Sequence, residues 1–390
     1  MKRLLALALV ALFGASSLTA CSSEQGVISG SQIGIAQIGE LNSINPDVSS
    51  DLTTAHNASE LANLTTAKFF DLGPTGELIA NEKLGTVDAS GTKQMRVTYT
   101  LSDSAVWSDG VAIDATDLAL SFAAATSLGG SNFYSVRRDS GLQFAKIAST
   151  PKVGEKSLTL DFSSPVADYQ TALTLSVAAH TVATKAFGSA DAIAAKTAVL
   201  NAIVKQNAKS LDALAEAYRS GFDSWQGITD ETLFVSSGAY RVSKVSGKTS
   251  VELLANSNYQ NGHLPRVQTL KLQYFADATA AIAAMSSGQI DIATAEDSGI
   301  ASLGDILGLV STIESPKVSS VVKSGAMTEQ VIFNFRSTSI FSVERNNQDP
   351  AAALSVRKAF LNLIPKNRII TGISQNYSVT SSDSLVFSSG

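Results

Sequence analysis

Apolar and polar residues alternate with a period of two in several short stretches, and each predicts a strand with one buried face. Met95, Val97, Tyr99 and Leu101 alternate with Arg96, Thr98 and Thr100. Leu158, Leu160 and Phe162 form a second run, and Leu270, Leu272 and Tyr274 a third. Val331, Phe333 and Phe335 predict a fourth strand, apolar on both faces because Ile332 interrupts its polar side. Other stretches carry helix punctuation. Asp114-Ala-Thr-Asp117 reads as a capping box, with Asp in place of Glu, ahead of a helix over 118–125. Asp277 predicts the cap of a helix over 278–287, and Gly288 the residue beyond its end. Residues 190–218 are Ala-rich and read as two helices parted near Ser210. Pro350 opens a helix in which Val356, Ala359, Phe360 and Leu363 recur at helical spacing. Strands and helices thus mix without strict alternation, which predicts an α/β chain with mixed sheets and flanking helices.

The amino terminus has a different pattern. Lys2 and Arg3 precede an unbroken apolar run from Leu4 to Phe13, then Gly14-Ala-Ser-Ser17 and Leu18-Thr-Ala-Cys21. The run is too short for a membrane-spanning helix, which needs ~20 apolar residues. It fits the hydrophobic segment of a secretory signal. Leu18 to Cys21 resembles the bacterial lipobox, which implies a signal peptide over 1–20 and lipid on Cys21, the sole Cys of the chain. Two acyl chains on one residue hold a protein stably at a membrane. Residues 21–31 read as a flexible tether.

Composition narrows the function. The chain has 390 residues, of which 44% are hydrophobic, so a large core in two or three domains is expected. Its formal net charge is −5, which speaks against nucleic-acid binding, since that needs a basic surface. A lone Cys excludes an intrachain disulfide and a Cys-cluster metal site.

Four stretches together resemble the extracytoplasmic solute-binding proteins of the oligopeptide/dipeptide/nickel ABC importers. Leu41-Asn-Ser-Ile-Asn-Pro46 is similar to L-x-S-L-D-P. Residues 99–118, with Trp107, Asp109, Gly110 and Asp117, are similar to Y-T-F-x-L-R-x-x-V-x-W-x-D-G-x-P-F-T-A-x-D-V. Gly238-Ala-Tyr240-Arg-Val242, Asn256-Ser-Asn-Tyr259 and Gly288-Gln-Ile290-Asp291 are similar to G-x-Y-x-V, N-x-x-Y and G-x-I-D. Phe333-Asn334, Val356-Arg357-Lys-Ala359-Phe360 and Asn367-Arg368-Ile369-Ile370 are similar to F-N-x, V-R-x-A-F and D-R-x-x-I. Read locally, these motifs are structural. Trp107-Ser-Asp109-Gly110 predicts a turn with Trp107 packed on a strand, Gly238 a turn or close backbone approach, Tyr240 the start of a strand, and Arg357 a partner for a carboxylate.

The resemblance implies a two-lobed, periplasmic-binding-protein-like α/β fold with mixed sheets, a hinge and an extra small domain. On it, residues 30–62 and 166–295 form the first lobe, residues 63–165 the extra domain, and residues 296–390 the start of an incomplete second lobe. Family members are longer, so the chain is expected to be truncated after Gly390. The implied function is capture of an extracellular solute, an oligopeptide foremost, and delivery to ABC permease subunits by a lipid-anchored monomer with no cofactor. Ligand contacts implied by the resemblance are Ser50, Asp51 and Leu52, then Thr294, Ala295 and Glu296 at the hinge, and Gln330. Three rivals stand beside this reading. A nickel chelate or another small molecule is one, and a surface adhesin is another. A secreted serine hydrolase is the third, although His56, His180 and His263 are far apart and neither G-x-S-x-G nor H-E-x-x-H occurs.

Overall fold

The structure is a computed structural model, and it describes residues 26–48, 52–73, 76–135, 141–224, 228, 230–293 and 333–368. The chain parts into two compact units, residues 1–73 with 78–301 and residues 74–77 with 302–390.

The first unit is built on two main sheets. One has five strands in the order β11-β1-β10-β9-β8. They are β1 (Ile28–Ile38), β8 (Tyr240–Ser246), β9 (Ser250–Ala255), β10 (Val267–Phe275) and β11 (Ile292–Ala293). β1 runs parallel to both β10 and β11, while β8 to β10 form an antiparallel meander. β1 starts at Ile28, inside the segment read as a tether. The other sheet is antiparallel, with the order β4-β5-β7-β6. Its strands are β4 (Gly85–Ser90), β5 (Met95–Leu101), β6 (Ala145–Ile147) and β7 (Ser157–Phe162). A short hairpin of β2 (Phe70–Leu72) and β3 (Leu78–Ala80) lies apart from both. The alternation read from the sequence is the observed burial: Met95, Val97, Tyr99 and Leu101 face inward on β5, as do Leu158, Leu160 and Phe162 on β7.

Each sheet has its own core, and one helix serves both. Helix α1 is Leu52–Thr65, and α2 is Ala115–Thr126. Every residue of α2 from Ala115 to Ala125 is buried. Leu118 and Phe122 pack with the β4–β7 sheet, whereas Leu120 and Ala123 pack with the five-stranded one. A helix that is apolar all round belongs between two packed surfaces. Its start is the capping box read from the sequence, with Asp114 accepting from the Thr116 N–H at 2.8 Å and Asp117 from the Asp114 N–H at 3.0 Å.

Helices α3 (Ala179–Phe187), α4 (Ala192–Lys205) and α5 (Ala208–Ser220) pack on the five-stranded sheet's core. The break between α4 and α5 falls at Gln206 and Asn207, not near Ser210. Gln206 adopts a left-handed conformation, and the Asn207 side chain caps α5 by accepting from the Ser210 N–H at 3.0 Å. Asn is a strong cap former, so Ser210 supplies the capped N–H and lies inside the helix. Helix α6 (Ala278–Ser286) is capped by Asp277, and Gly288 follows it with φ of +74°.

In the second unit, α7 (Pro350–Leu363) starts where the sequence placed it, capped by Asp349. Phe333, Phe335, Phe341 and Phe360 form an aromatic cluster beside it. Two expectations are corrected there. Phe333 to Phe335 are not in a strand, because the Asn334 side chain accepts from the Arg336 N–H at 3.0 Å and bends the chain as an Asx turn. Val331 and Ile332 lie outside the described residues. Arg357 meets no carboxylate among the described residues; it donates to the Phe341 carbonyl at 3.1 Å and lies over the Phe335 ring.

Candidate functional site

In open α/β sheets, ligands bind outside the carboxyl ends of parallel strands. Here those ends belong to β1, β10 and β11, and two of the sequence motifs build the edge around them. The Ser-Ile-Asn-Pro turn after β1 is held from inside. Asn45 is fully buried and donates to the Tyr218 carbonyl at 2.8 Å. The Asp47 N–H donates to Asn45 Oδ1 at 3.0 Å, and the Asp47 carboxylate accepts from the Tyr218 and Thr174 hydroxyls at 2.8 and 2.9 Å. Such a turn aims the chain that follows; it presents no free side chain of its own.

The Gly-Gln-Ile-Asp motif does the same for β11. Ile290 is buried with Ala36, Ala281 and Ala284. Asp291 Oδ2 accepts from the Gly34 N–H at 2.7 Å, and the Asp291 N–H donates to the Gly34 carbonyl at 2.9 Å. This double link seats β11 on β1 with Ile292 opposite Ile35. The residues that follow each motif are those read as ligand contacts. Leu52 opens α1, while Ser50, Asp51, Thr294, Ala295, Glu296 and Gln330 lie outside the described residues, as does Cys21.

The described part of the edge holds polar groups that motif reading did not single out. Gln37 and Tyr274 are register partners on neighbouring parallel strands, so their side chains share the face that packs against the main core. Asn57 of α1 donates its side-chain N–H groups to the Ile38 and Glu40 carbonyls at 3.1 and 2.9 Å. Gln37 Oε1, Asn57 Oδ1 and the Tyr274 hydroxyl are buried without a hydrogen-bond partner. Burial, and next the negative charge of Glu60, pushes the Tyr274 phenol far above its ordinary range. It therefore stays neutral. The signal in the sequence was a polar residue, Gln37, at the next inward position after Ile33 and Ile35.

The other motifs lie away from this edge and lock loops together. Gly238 passes so close to α1 that a Cβ there would lie 2.5 Å from the Thr65 backbone. The Asn258 side chain donates to the Ser108 carbonyl at 2.9 Å, tying the Asn-Ser-Asn-Tyr stretch to the Trp107 turn. His180 Nε2 lies 2.8 Å from Asp109 Oδ2 in that turn. Burial raises the Asp109 carboxyl, but the His180 and Val111 hydrogen bonds outweigh it and hold it below its usual range. A carboxylate whose folded pKa is depressed adds stability above its unfolded pKa, and this is lost as pH falls through the folded one. Asp109→Asn is therefore expected to be less stable than wild type at neutral pH. The gap should close in acid melts as pH drops below the ordinary carboxylate range, and a gap constant with pH would refute this role. A groove of about 460 Å³ lined by Val27, Lys83, Asn256, Tyr259 and Leu264 lies by the amino end of β1, away from the carboxyl ends of the parallel strands.

No group of three His, Cys, Asp or Glu suited to a metal ion occurs among the described residues. No single helix among them is long and apolar enough to cross a membrane.

This fold and edge define a mixed α/β protein of the periplasmic solute-binding class. The chain belongs to the bacterial extracellular solute-binding proteins, family 5, whose middle-region model matches residues 90–388. That is a family of solute-binding proteins, not of enzymes. An uncharacterized lipoprotein of Mycobacterium tuberculosis is 25% identical over 255 residues, which is 64% of this chain and 42% of that protein. The chain thus spans under half the length of the curated relatives it matches first. A protein of Brucella ovis described as a putative ABC transporter peptide-binding protein is 29% identical over 140 residues, 36% of this chain and 22% of its own. Among solved structures, a periplasmic EDTA-binding protein, EppA, superposes with a TM-score of 0.54 at 19% identity, covering 74% of this chain and 47% of its own.

Proposed function

We infer that the protein is the substrate-binding component of an ABC importer, tethered outside the cytoplasmic membrane by lipid on Cys21, and that its solute is an oligopeptide. The observation that carries this reading is the seating of β11 on β1 through Asp291 and Gly34. It sets Ile292 and Ala293 beside Ile35 and Ala36, near the carboxyl edge of the parallel strands. Backbone at such an edge can pair with an extended ligand as with an added strand, which tolerates many side chains because main-chain groups supply the hydrogen bonds. Ser50, Asp51, Leu52, Thr294, Ala295, Glu296 and Gln330 are the contacts to vary. In this reading, residues 30–62 and 166–295 make the first lobe, residues 63–165 the extra domain and residues 296–390 the start of the second lobe. The bound protein then docks on permease subunits.

The test is native mass spectrometry and thermal melting of the full-length mature protein, first as purified and then with a mixed peptide pool or a pool of metal chelates. Retained peptide with a raised melting temperature supports the assignment, because ligand at a hundred times Kd adds about 2.7 kcal/mol. A chelate retained in its place moves the assignment to the small-molecule branch of the family. Turnover of peptide or ester without a retained ligand would sink the transport reading.

A further inference from the structure

Three exposed apolar side chains gather at the amino end of β1. Val27 and Leu264 line the groove there, together with Lys83, Ser257 and the half-buried Tyr259 ring. Ile28 is next in the chain, and its N–H donates to the Arg266 carbonyl at 2.8 Å, which places it at the same end of the sheet. Val27 is 43% exposed, Ile28 54% and Leu264 38%. Exposed apolar residues scattered singly are ordinary, but a group of them beside a groove marks a contact surface. Charges of both signs surround it. Lys83 and Arg266 are exposed there, as is Glu82, and the charge of Asp71 acts on Tyr259. The contact is therefore apolar in kind and does not select a partner of one charge. The chain itself says what lies opposite. Val27 is six residues beyond Cys21. An extended chain gains at most about 3.6 Å per residue, so Val27 stays within ~22 Å of Cys21.

We propose that Val27, Ile28, Leu264 and the Tyr259 ring form the face on which the anchored protein rests against the lipid bilayer that holds Cys21. The proposal rests on the reading of Cys21 as lipid-modified, and it adds the surface that meets the membrane. A short flexible tether gives an effective concentration in the millimolar range, so a face with only millimolar affinity for lipid is already occupied much of the time. A few aliphatic side chains suffice for that. Tyrosine suits the headgroup layer, with its ring in the apolar part and its hydroxyl in water. Lys83 can lay its stem along the same surface and keep its ammonium among the phosphates. β1 runs from this face to the carboxyl edge of the parallel strands over 11 residues, roughly 35 Å. A body resting on the amino end of β1 therefore keeps that edge clear of the lipid, and a contact this weak releases the body to dock elsewhere.

The test uses the lipidated full-length mature protein on phosphatidylcholine vesicles that carry a doxyl-labelled phosphatidylcholine as quencher. An acylated Cys21 has no free thiol, so a single added cysteine takes a fluorophore selectively. Ser257→Cys puts the label on the groove, and Thr279→Cys puts it on α6, just past the carboxyl end of β10. The lipid is expected to quench the label at 257 and to leave the one at 279 bright. Val27→Thr combined with Leu264→Gln keeps the shape of each side chain and removes its apolar contact. In the Ser257→Cys background this pair should lower the ratio of resting to lifted-off protein roughly tenfold. Circular dichroism and urea midpoints confirm that the variant is folded. The contact is overturned if both labels are quenched alike, if neither is quenched, or if the paired substitution leaves quenching at 257 unchanged. Intact mass separates this failure from that of the anchor. Without acyl chains on Cys21 the anchor falls and takes the contact with it. With acyl chains present and the label at 257 unquenched, the contact alone falls and the transport reading stands.

Discussion

Replacing Lys196 by Met is expected to destabilise the protein by about 3–5 kcal/mol, seen as a lower urea midpoint with an unchanged slope. Lys196 is 2% exposed on α4. Its ammonium lies 2.7 Å from Asp117 Oδ2 and 3.2 Å from Asp114 Oδ1, and it also donates to the Ala112 carbonyl at 2.7 Å. The two carboxylates are more than its partners. Asp114 caps α2 and accepts from the Gly154 N–H at 2.8 Å, and Asp117 accepts from the Ala179 N–H at the start of α3. One buried cation thus ties α2, α3, α4 and the turn before β7. Removing it alone leaves two buried carboxylates close together without a countercharge, and that uncompensated charge is the main cost. Adding Asp114→Asn and Asp117→Asn to Lys196→Met should therefore recover the part of the loss that comes from uncompensated charge, since each Asn is neutral, while the second backbone N–H that each carboxylate accepts stays unpaired. If the triple variant is as unstable as the sum of its parts, the network is not coupled in this way.

Trp107→Ala is expected to cost about 3–5 kcal/mol and to leave the solute affinity of the folded fraction unchanged. Trp107 is 0% exposed and belongs to the core of the β4–β7 sheet, with its ring edge-on to His180. Its backbone closes the turn by accepting from the Gly110 N–H at 2.9 Å and donating to the Val111 carbonyl at 2.8 Å. Cutting the side chain to a methyl opens a cavity that rigid neighbouring strands cannot fill. Titration of the captured solute into the folded variant separates the two roles of the motif. A tenfold loss of affinity at unchanged stability would make Trp107 a ligand contact instead of a core residue.

Features set by neighbouring residues were legible in the sequence. The capping of α2 by Asp114, of α6 by Asp277 and of α7 at Pro350 depends on atoms within one turn, and all three stand where the pattern put them. The strands of Tyr99, Leu160 and Leu272 were equally plain, because a sheet with one wet face imposes alternation on each strand. Where a short polar side chain turns on its own backbone, the local pattern misled. Asn207 moved the break between α4 and α5, and Asn334 bent a run that alternates like a strand.

The sequence by itself determined the family, the starts of α2, α6 and α7 and the inward faces of β5, β7 and β10, since those follow from chemistry repeated along a few residues. It also carried a lipobox-like Cys21 that folding does not bear upon. Tertiary structure alone decided which distant polar groups meet. Nothing near Lys196 in the chain says that it is buried, because its two carboxylates come from 79 and 82 residues away. Nothing near Gln37 names Asn57 or Tyr274 as its neighbours, because a parallel strand pair brings together segments that are remote in sequence, and a helix crossing their ends adds a third.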